Sequence, residues 1–154
     1  MYTKILAAFD NSPRGDRVFE AALSLAKANQ ASLMLLHVLS RDSDDSPVRF
    51  SSKLNSRDED IYRVYRREWE DFVQKMDERL TALMQIAATE TVMAEFKQLE
   101  GSPGKTICDF ARNWGADLIV IGRRGYSSES EMFIGSVSSY IIHRCNCSVH
   151  IVQQ

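Results

Sequence analysis

Residues 4–39 read KILAAFDNSPRGDRVFEAALSLAKANQASLMLLHVL, and the fold class is decided within them. Lys4 to Asp10 (KILAAFD) is a short apolar run that closes on an aspartate. Asn11-Ser12-Pro13 follows, the pairing of a helix-cap residue with a first-turn proline. Val18, Ala21, Ala22, Leu25 and Ala26 then fall at offsets 0, 3, 4, 7 and 8, the single apolar stripe of an amphipathic helix. Ser32 to Leu39 (SLMLLHVL) is apolar without alternation, which suits a strand covered on both faces of a parallel sheet. The pattern is strand, helix, strand.

The rest of the chain continues the alternation. Ser40 to Asn55 (SRDSDDSPVRFSSKLN) has no sustained period and reads as a loop insertion, longer than most within a domain. Ser56 and Glu59 are spaced as a capping box, with Asp58 and Asp60 adding negative charge at the helix start. Beyond them Tyr65, Trp69, Phe72, Met76, Leu80, Leu83 and Ala87 recur at helical spacing, predicting a helix of about 30 residues and about 45 Å. Thr91 to Leu99 alternates like a half-buried strand and is expected at a sheet edge. Gly101-Ser102-Pro103 opens a helix with Ile107, Phe110, Ala111 and Trp114 on one side, ended by Gly115. Asp117 to Ile121 (DLIVI) is the most apolar strand and runs into Gly122. A short helix through Val137, Tyr140, Ile141 and Arg144 and a last strand, Ser148 to Val152, complete the chain. Five strands alternating with four helices predict one α/β domain over residues 1–154, a three-layer sandwich with a parallel sheet and right-handed crossovers. In such sheets ligands bind beyond the carboxyl ends of the strands, where strand order reverses. The ends of the first and fourth strands, Asp10 and Gly122, are the candidates for that point.

Composition narrows the function classes. The chain has 154 residues, and 19 basic against 21 acidic side chains leave a net charge of −2. That balance argues against nucleic-acid or membrane partners, both of which need a basic field. The longest apolar runs fall far short of the ~20 residues of a membrane span, and MYTKILAAFD lacks a signal-peptide core. Three cysteines (Cys108, Cys145, Cys147) are an odd number, and they read as reduced thiols in the cytoplasm. Six of the seven glycines lie between Gly101 and Gly135. Three of the six, Gly122, Gly125 and Gly135, form G-x2-G-x9-G-S with Ser136. The first ends the most apolar strand and the last opens a helix, whose unpaired N–H groups and positive dipole end suit a phosphate. The plainer alternative is a tight turn followed by a helix start.

KILAAFDNSP, the Gly122–Ser136 element and the ending RCNCSVHIV together resemble the universal stress protein family across essentially the whole chain. The resemblance implies the adenine nucleotide alpha hydrolase-like fold, with sheet order 3-2-1-4-5. It also implies ATP or another adenine nucleotide as ligand, and homodimers formed through the last strand, Ser148 to Val152. Carried over residue by residue, Ala8, Phe9 and Asp10 would line the nucleotide site, Asp10 reaching the ribose or a magnesium ion. The Val38 backbone would meet adenine. Gly125, Gly135, Ser136 and Val137 would hold phosphates, and Gly122 and Arg123 would lie along the ribose-phosphate path. The sequence departs from the family in the loop between Gly125 and Gly135, where Glu129 and Glu131 would repel a triphosphate if they faced it.

Other motifs carry less. Gly101-Ser-Pro-Gly104-Lys105-Thr106 lacks the leading P-loop glycine, since Leu99 stands there, and a helix cap explains it. Cys145-x-Cys147 has neither redox nor zinc spacing. His37 is expected to be a satisfied core histidine, His143 to lack a ligand partner and His150 to be packed or exposed. Arg63, Arg66, Arg67 and Arg79 mix with acidic residues as on a solvated helix face. The resulting expectation is a cytoplasmic homodimer that binds ATP and acts as a sensor or accessory factor with an unknown downstream protein. It would be no fast enzyme, with at most slow hydrolysis or autophosphorylation at Ser136 or Ser138. The alternatives are an interaction module that keeps the fold without binding ATP, and a nucleotide-dependent transferase.

Overall fold

In the computed structural model, which describes residues 1–43, 45–48, 59–123 and 134–153, the apolar runs become five strands. They are β1 (Lys4–Ala8), β2 (Ser32–Leu39), β3 (Ala94–Glu100), β4 (Leu118–Gly122) and β5 (Ser148–Val152). Between them come α1 (Gly15–Asn29), α2 (Glu59–Thr89), α3 (Pro103–Trp114) and α4 (Ser136–Arg144). The sheet order is β3-β2-β1-β4-β5 and every pairing is parallel, as expected.

Alternate strand residues feed two separate cores, which is why β1, β2 and β4 are apolar throughout. Ile5, Ala7, Leu33, Leu35, Leu118 and Val120 point to one face and pack with Val18 and Ala22 of α1 and Met76 and Leu80 of α2. Leu6, Ala8, Met34, Leu36, Ile119 and Ile121 point to the other and meet Ile107 and Ala111 of α3 and Ile141 of α4. Met76 and Leu80 are 1% and 0% exposed, so each contributes about 1.5–3 kcal/mol by burial. The edge strand β3 keeps the alternation read from its sequence, with Ala94 and Phe96 half-buried and Glu95 and Lys97 exposed.

Element boundaries differ from expectation at two places. The first helix starts at Gly15, with Arg14 at the cap and no side-chain cap bond, because Asn11 to Arg14 form a turn instead. Within that turn the Gly15 N–H donates to the Ser12 carbonyl, and the Ser12 N–H donates to Asp10 Oδ1. The third strand begins at Ala94 rather than Thr91. Thr91 takes a left-handed φ of 61° to leave α2, and the Val92 N–H closes that turn on the Ala87 carbonyl. Gly115 ends α3 as expected, at φ 78°, where glycine has no Cβ penalty.

The reading of three reduced thiols is overturned: Cys108 and Cys145 form a disulfide, and Cys147 is the free thiol. Counting treated the cysteines as one pool. In the fold, α3 and the end of α4 lie on the same face of the sheet with the two Cα atoms 5.4 Å apart, within disulfide reach. Asp44, residues 49–58, residues 124–133 and Gln154 lie outside the described residues. With them go half of the loop insertion, the capping serine Ser56, Gly125, Glu129 and Glu131. No described helix is long and apolar enough to cross a membrane.

Candidate functional site

β1 and β4 are adjacent in the sheet though not consecutive in the chain, and α1 leaves β1 towards one face while α4 leaves β4 towards the other. The divergence opens a cavity of about 820 Å³ at the carboxyl ends of the strands. Ala8, Phe9, Asp10, Val38, Gly122, Gly135, Ser136 and Val137 all line it, so eight of the ten residues carried over by resemblance meet in one place. Arg123 is not among the lining residues, and Gly125 lies outside the described ones.

The two halves of the glycine element are joined by backbone. The Gly135 N–H donates to the Arg123 carbonyl at 2.9 Å, and the Arg123 N–H donates to the carbonyl of Val152 at 3.1 Å. Ser138, which is 5% exposed, donates its hydroxyl to the Gly122 carbonyl at 2.7 Å. These bonds pin the first turn of α4 to the end of β4, so the helix start at Ser136 faces the cavity with its dipole positive. Ser136 is exposed and Ser138 is not.

Opposite α4, the turn after β1 is held from beneath by Arg79 of α2. Its guanidinium donates to Asp16 Oδ1 (2.8 Å), Asn11 Oδ1 (3.2 Å) and the Ser12 carbonyl (3.3 Å), and lies 5.8 Å from the Phe9 ring centroid. The assignment of Arg79 to a solvated face is therefore wrong. It stands three residues after Met76 and four before Leu83, on the apolar stripe itself, and that offset was the available signal. Ser12 Oγ is buried in the cavity wall with no hydrogen-bond partner, the one such side-chain atom among the described residues. An orphaned hydroxyl in a wall is satisfied when a polar ligand or water reaches it.

The third wall comes from the segment after β2, the start of the loop insertion that has no period in the sequence. Arg41, Asp42, Ser43 and Asp45 line the cavity, and the Arg41 guanidinium sits 4.9 Å from the centroid of Trp69, which lines it too. His37 is the satisfied core histidine expected, 1% exposed, with Nδ1 3.0 Å from Gln98 Oε1 and Nε2 2.9 Å from Asp45 Oδ2. Burial pushes the Asp45 carboxyl up. Hydrogen bonds from His37, Ser43 and the Asn11 N–H, with the charge of His37, more than offset this and hold it below the usual range. His143 is exposed with Nδ1 2.7 Å from the Ser139 carbonyl of its own helix, and His150 is exposed on β5.

The cavity joins an apolar base (Ala8, Leu36, Val38, Ile121) to a rim with Asp10, Asp42 and Glu100 against Arg14 and Arg41, while Asp45 lies buried against His37 behind it. No cluster of three metal-ligating side chains occurs among the described residues.

The chain matches the universal stress protein family model over residues 1–153. It belongs to that family. The universal stress protein Sll1388 of Synechocystis is 36% identical over 152 residues, covering 99% of this chain and 98% of the relative. Among solved structures, universal stress protein UspA from Lactobacillus plantarum superposes with a TM-score of 0.79 at 25% identity, covering 98% of this chain and 97% of that one. Two more distant universal stress protein structures share the fold. One is a complex with cAMP (TM-score 0.62, 18% identity, 99% and 97% covered). The other, from Archaeoglobus fulgidus, is a complex with dAMP (TM-score 0.58, 23% identity, 98% and 97% covered).

Proposed function

We propose that this universal stress protein binds an adenine nucleotide, ATP foremost, in the cavity between β1 and β4 and serves as a sensor or accessory factor in a stress response. The observation that carries the reading is the meeting of Asp10, Val38 and the start of α4 around one cavity whose base is apolar and whose far wall ends in helix N–H groups. An adenine fits the apolar base beside Val38, a ribose hydroxyl suits Asp10, and phosphate suits Gly135, Ser136 and Val137. The dAMP and cAMP complexes of relatives with this fold support the ligand class.

The described rim carries more carboxylates than cations, so magnesium should be needed to bring a triphosphate in, whereas a monophosphate should bind without it. That imbalance also favours the competing reading, an interaction module that keeps the fold without ATP. Fast hydrolysis is not part of the proposal. Any phosphoryl transfer to the protein itself would fall on Ser136, because the Ser138 hydroxyl is buried and engaged. We further place the protein in the cytoplasm as a homodimer. The dimer would use the outer edge of β5, since Val149 and Ile151 there are only half-buried. In a reducing compartment the Cys108–Cys145 bond would be a reversible one.

Equilibrium binding of labelled ATP, AMP and adenosine, with and without magnesium, tests the reading. Gly135→Val should weaken ATP by tenfold or more through the bulk it puts in the path of the phosphates. Absence of saturable binding at millimolar nucleotide would leave only the interaction module.

A further inference from the structure

The cavity wall at the end of β1 holds a hydroxyl that the fold leaves over. Both backbone groups of Ser12 are engaged: its N–H donates to Asp10 Oδ1 at 2.9 Å, and its carbonyl accepts from the Gly15 N–H at 3.0 Å and from Arg79 at 3.3 Å. The hydroxyl is buried, in a residue 2% exposed, and has no partner. It does not cap α1, because that helix starts at Gly15 without a side-chain cap bond. Leaving a buried hydroxyl unpaired is unfavourable. Ser12 lines the cavity, so a group carried by the ligand is placed to relieve it.

Position along the sheet says which part of the ligand that is. In the order β3-β2-β1-β4-β5, β1 lies between β2, which ends at Val38 and Leu39, and β4, whose end is bonded to the start of α4. Neighbouring strands are about 4.8 Å apart, so the ends of β2 and β4 stand about 10 Å apart with β1 midway. A nucleotide with its base at Val38 and its phosphate at Ser136 therefore carries its sugar over the end of β1, where Asp10 and Ser12 sit. The ionised Asp10 carboxylate only accepts, whereas the Ser12 hydroxyl both donates and accepts. The bond from the Ser12 N–H keeps that carboxylate against the Ser12 backbone, so the two side chains meet a ligand together.

We propose that Ser12 is a specificity-determining residue of this cavity. Its hydroxyl pairs with one ribose hydroxyl while Asp10 takes the neighbouring one, so the site selects ribonucleotides with a free 2′,3′-diol. This deepens the nucleotide reading and rests on it. On binding, the serine side chain turns between staggered wells to meet the sugar. A deoxy sugar leaves one of the two side chains without its partner, and affinity falls.

Equilibrium binding of adenosine, 2′-deoxyadenosine and 3′-deoxyadenosine to the whole chain, wild type and Ser12→Ala, tests the assignment. The wild type should bind each deoxy analogue roughly tenfold more weakly than adenosine, the loss of one hydrogen bond. Ser12→Ala should bind adenosine roughly tenfold more weakly and no longer distinguish it from one of the two analogues. The other analogue, which lacks the hydroxyl held by Asp10, should stay disfavoured. A turn merely loosened by the substitution would weaken all three ligands by one factor, and that result overturns the assignment. So does an unchanged adenosine affinity, which would mean that water satisfies the hydroxyl. The wild-type ratios need no variant: equal affinity for adenosine and both analogues overturns the diol selection even where alanine disrupts the turn. Absence of saturable binding of both adenosine and ATP defeats the nucleotide reading itself, and the role of Ser12 with it.

Discussion

Arg79 shows how much of the site is built from side chains whose sequence neighbourhood advertises something else. It sits in a run of alternating charge on α2, yet its side chain is 22% exposed and spends two hydrogen bonds on the turn beside Asp10 and a third on Asp16 at the start of α1. Arg79→Ala should therefore cost about 1–2 kcal/mol of stability, as a buried turn carbonyl loses a charged donor. It should also weaken nucleotide several-fold by freeing the turn, and urea unfolding together with ATP titration of the same variant checks both. Asp10 and Gly122 were readable as strand-end residues because the apolar runs before them stop there. Arg79 and Asp45 were not legible, because their roles depend on partners 67 and 8 residues away, and the orphaned Ser12 hydroxyl was not, because its burial is set only by the fold.

The pairing of α3 with α4 is the least sequence-apparent contact between elements. A Cβ on Gly104 would meet the Tyr140 ring at 2.8 Å, so glycine there permits close helix approach rather than only a turn. One turn further along α3, Cys108 bonds Cys145 at the end of α4. The closed loop spans a sequence separation of 37, for which the chain-entropy model gives about 4 kcal/mol. Reduction, or Cys108→Ser, should accordingly lower the thermal midpoint by about 10 °C, while Cys147→Ser leaves it unchanged. Scanning calorimetry with and without a dithiol reductant checks this. Since α4 supplies the helix start facing the cavity, the same reduction should also lessen the midpoint shift produced by ATP. Element existence, type and order were all readable from hydrophobic period. The ends of α1 and β3 were not, because turn geometry at Asn11 and Thr91 overrode the cap and alternation signals.

Across the molecule, two carboxylates tie distant segments together. Asp117, at the start of β4, accepts from the Thr3 N–H (2.8 Å), the Thr3 hydroxyl (2.8 Å) and the Lys4 N–H (3.2 Å). Desolvation pushes its carboxyl up, and these hydrogen bonds bring it below the usual range. Asp45 is likewise depressed against its own burial. A group whose folded pKa is lowered adds stability above its unfolded pKa and loses it as pH falls through the folded one. Unfolding free energy should thus be level with respect to these two groups near neutrality and drop below about pH 4. Asp117→Asn should flatten part of that drop, measurable by denaturant titration over an acid series.

Local chemistry in the chain was enough for five parallel strands, four helices, a two-sided core and the placing of Asp10 and Gly122 at the ends of β1 and β4. Hydrophobic period and strand-end residue types act over a few positions, so a linear string carries them in full. The disulfide, the Arg79 brace, the Gly104–Tyr140 contact and the His37–Asp45–Asn11 junction were settled only by folding. Each joins residues on different elements, and which of many compatible partners meets which depends on strand order, helix angle and burial, quantities that exist only once the chain has packed.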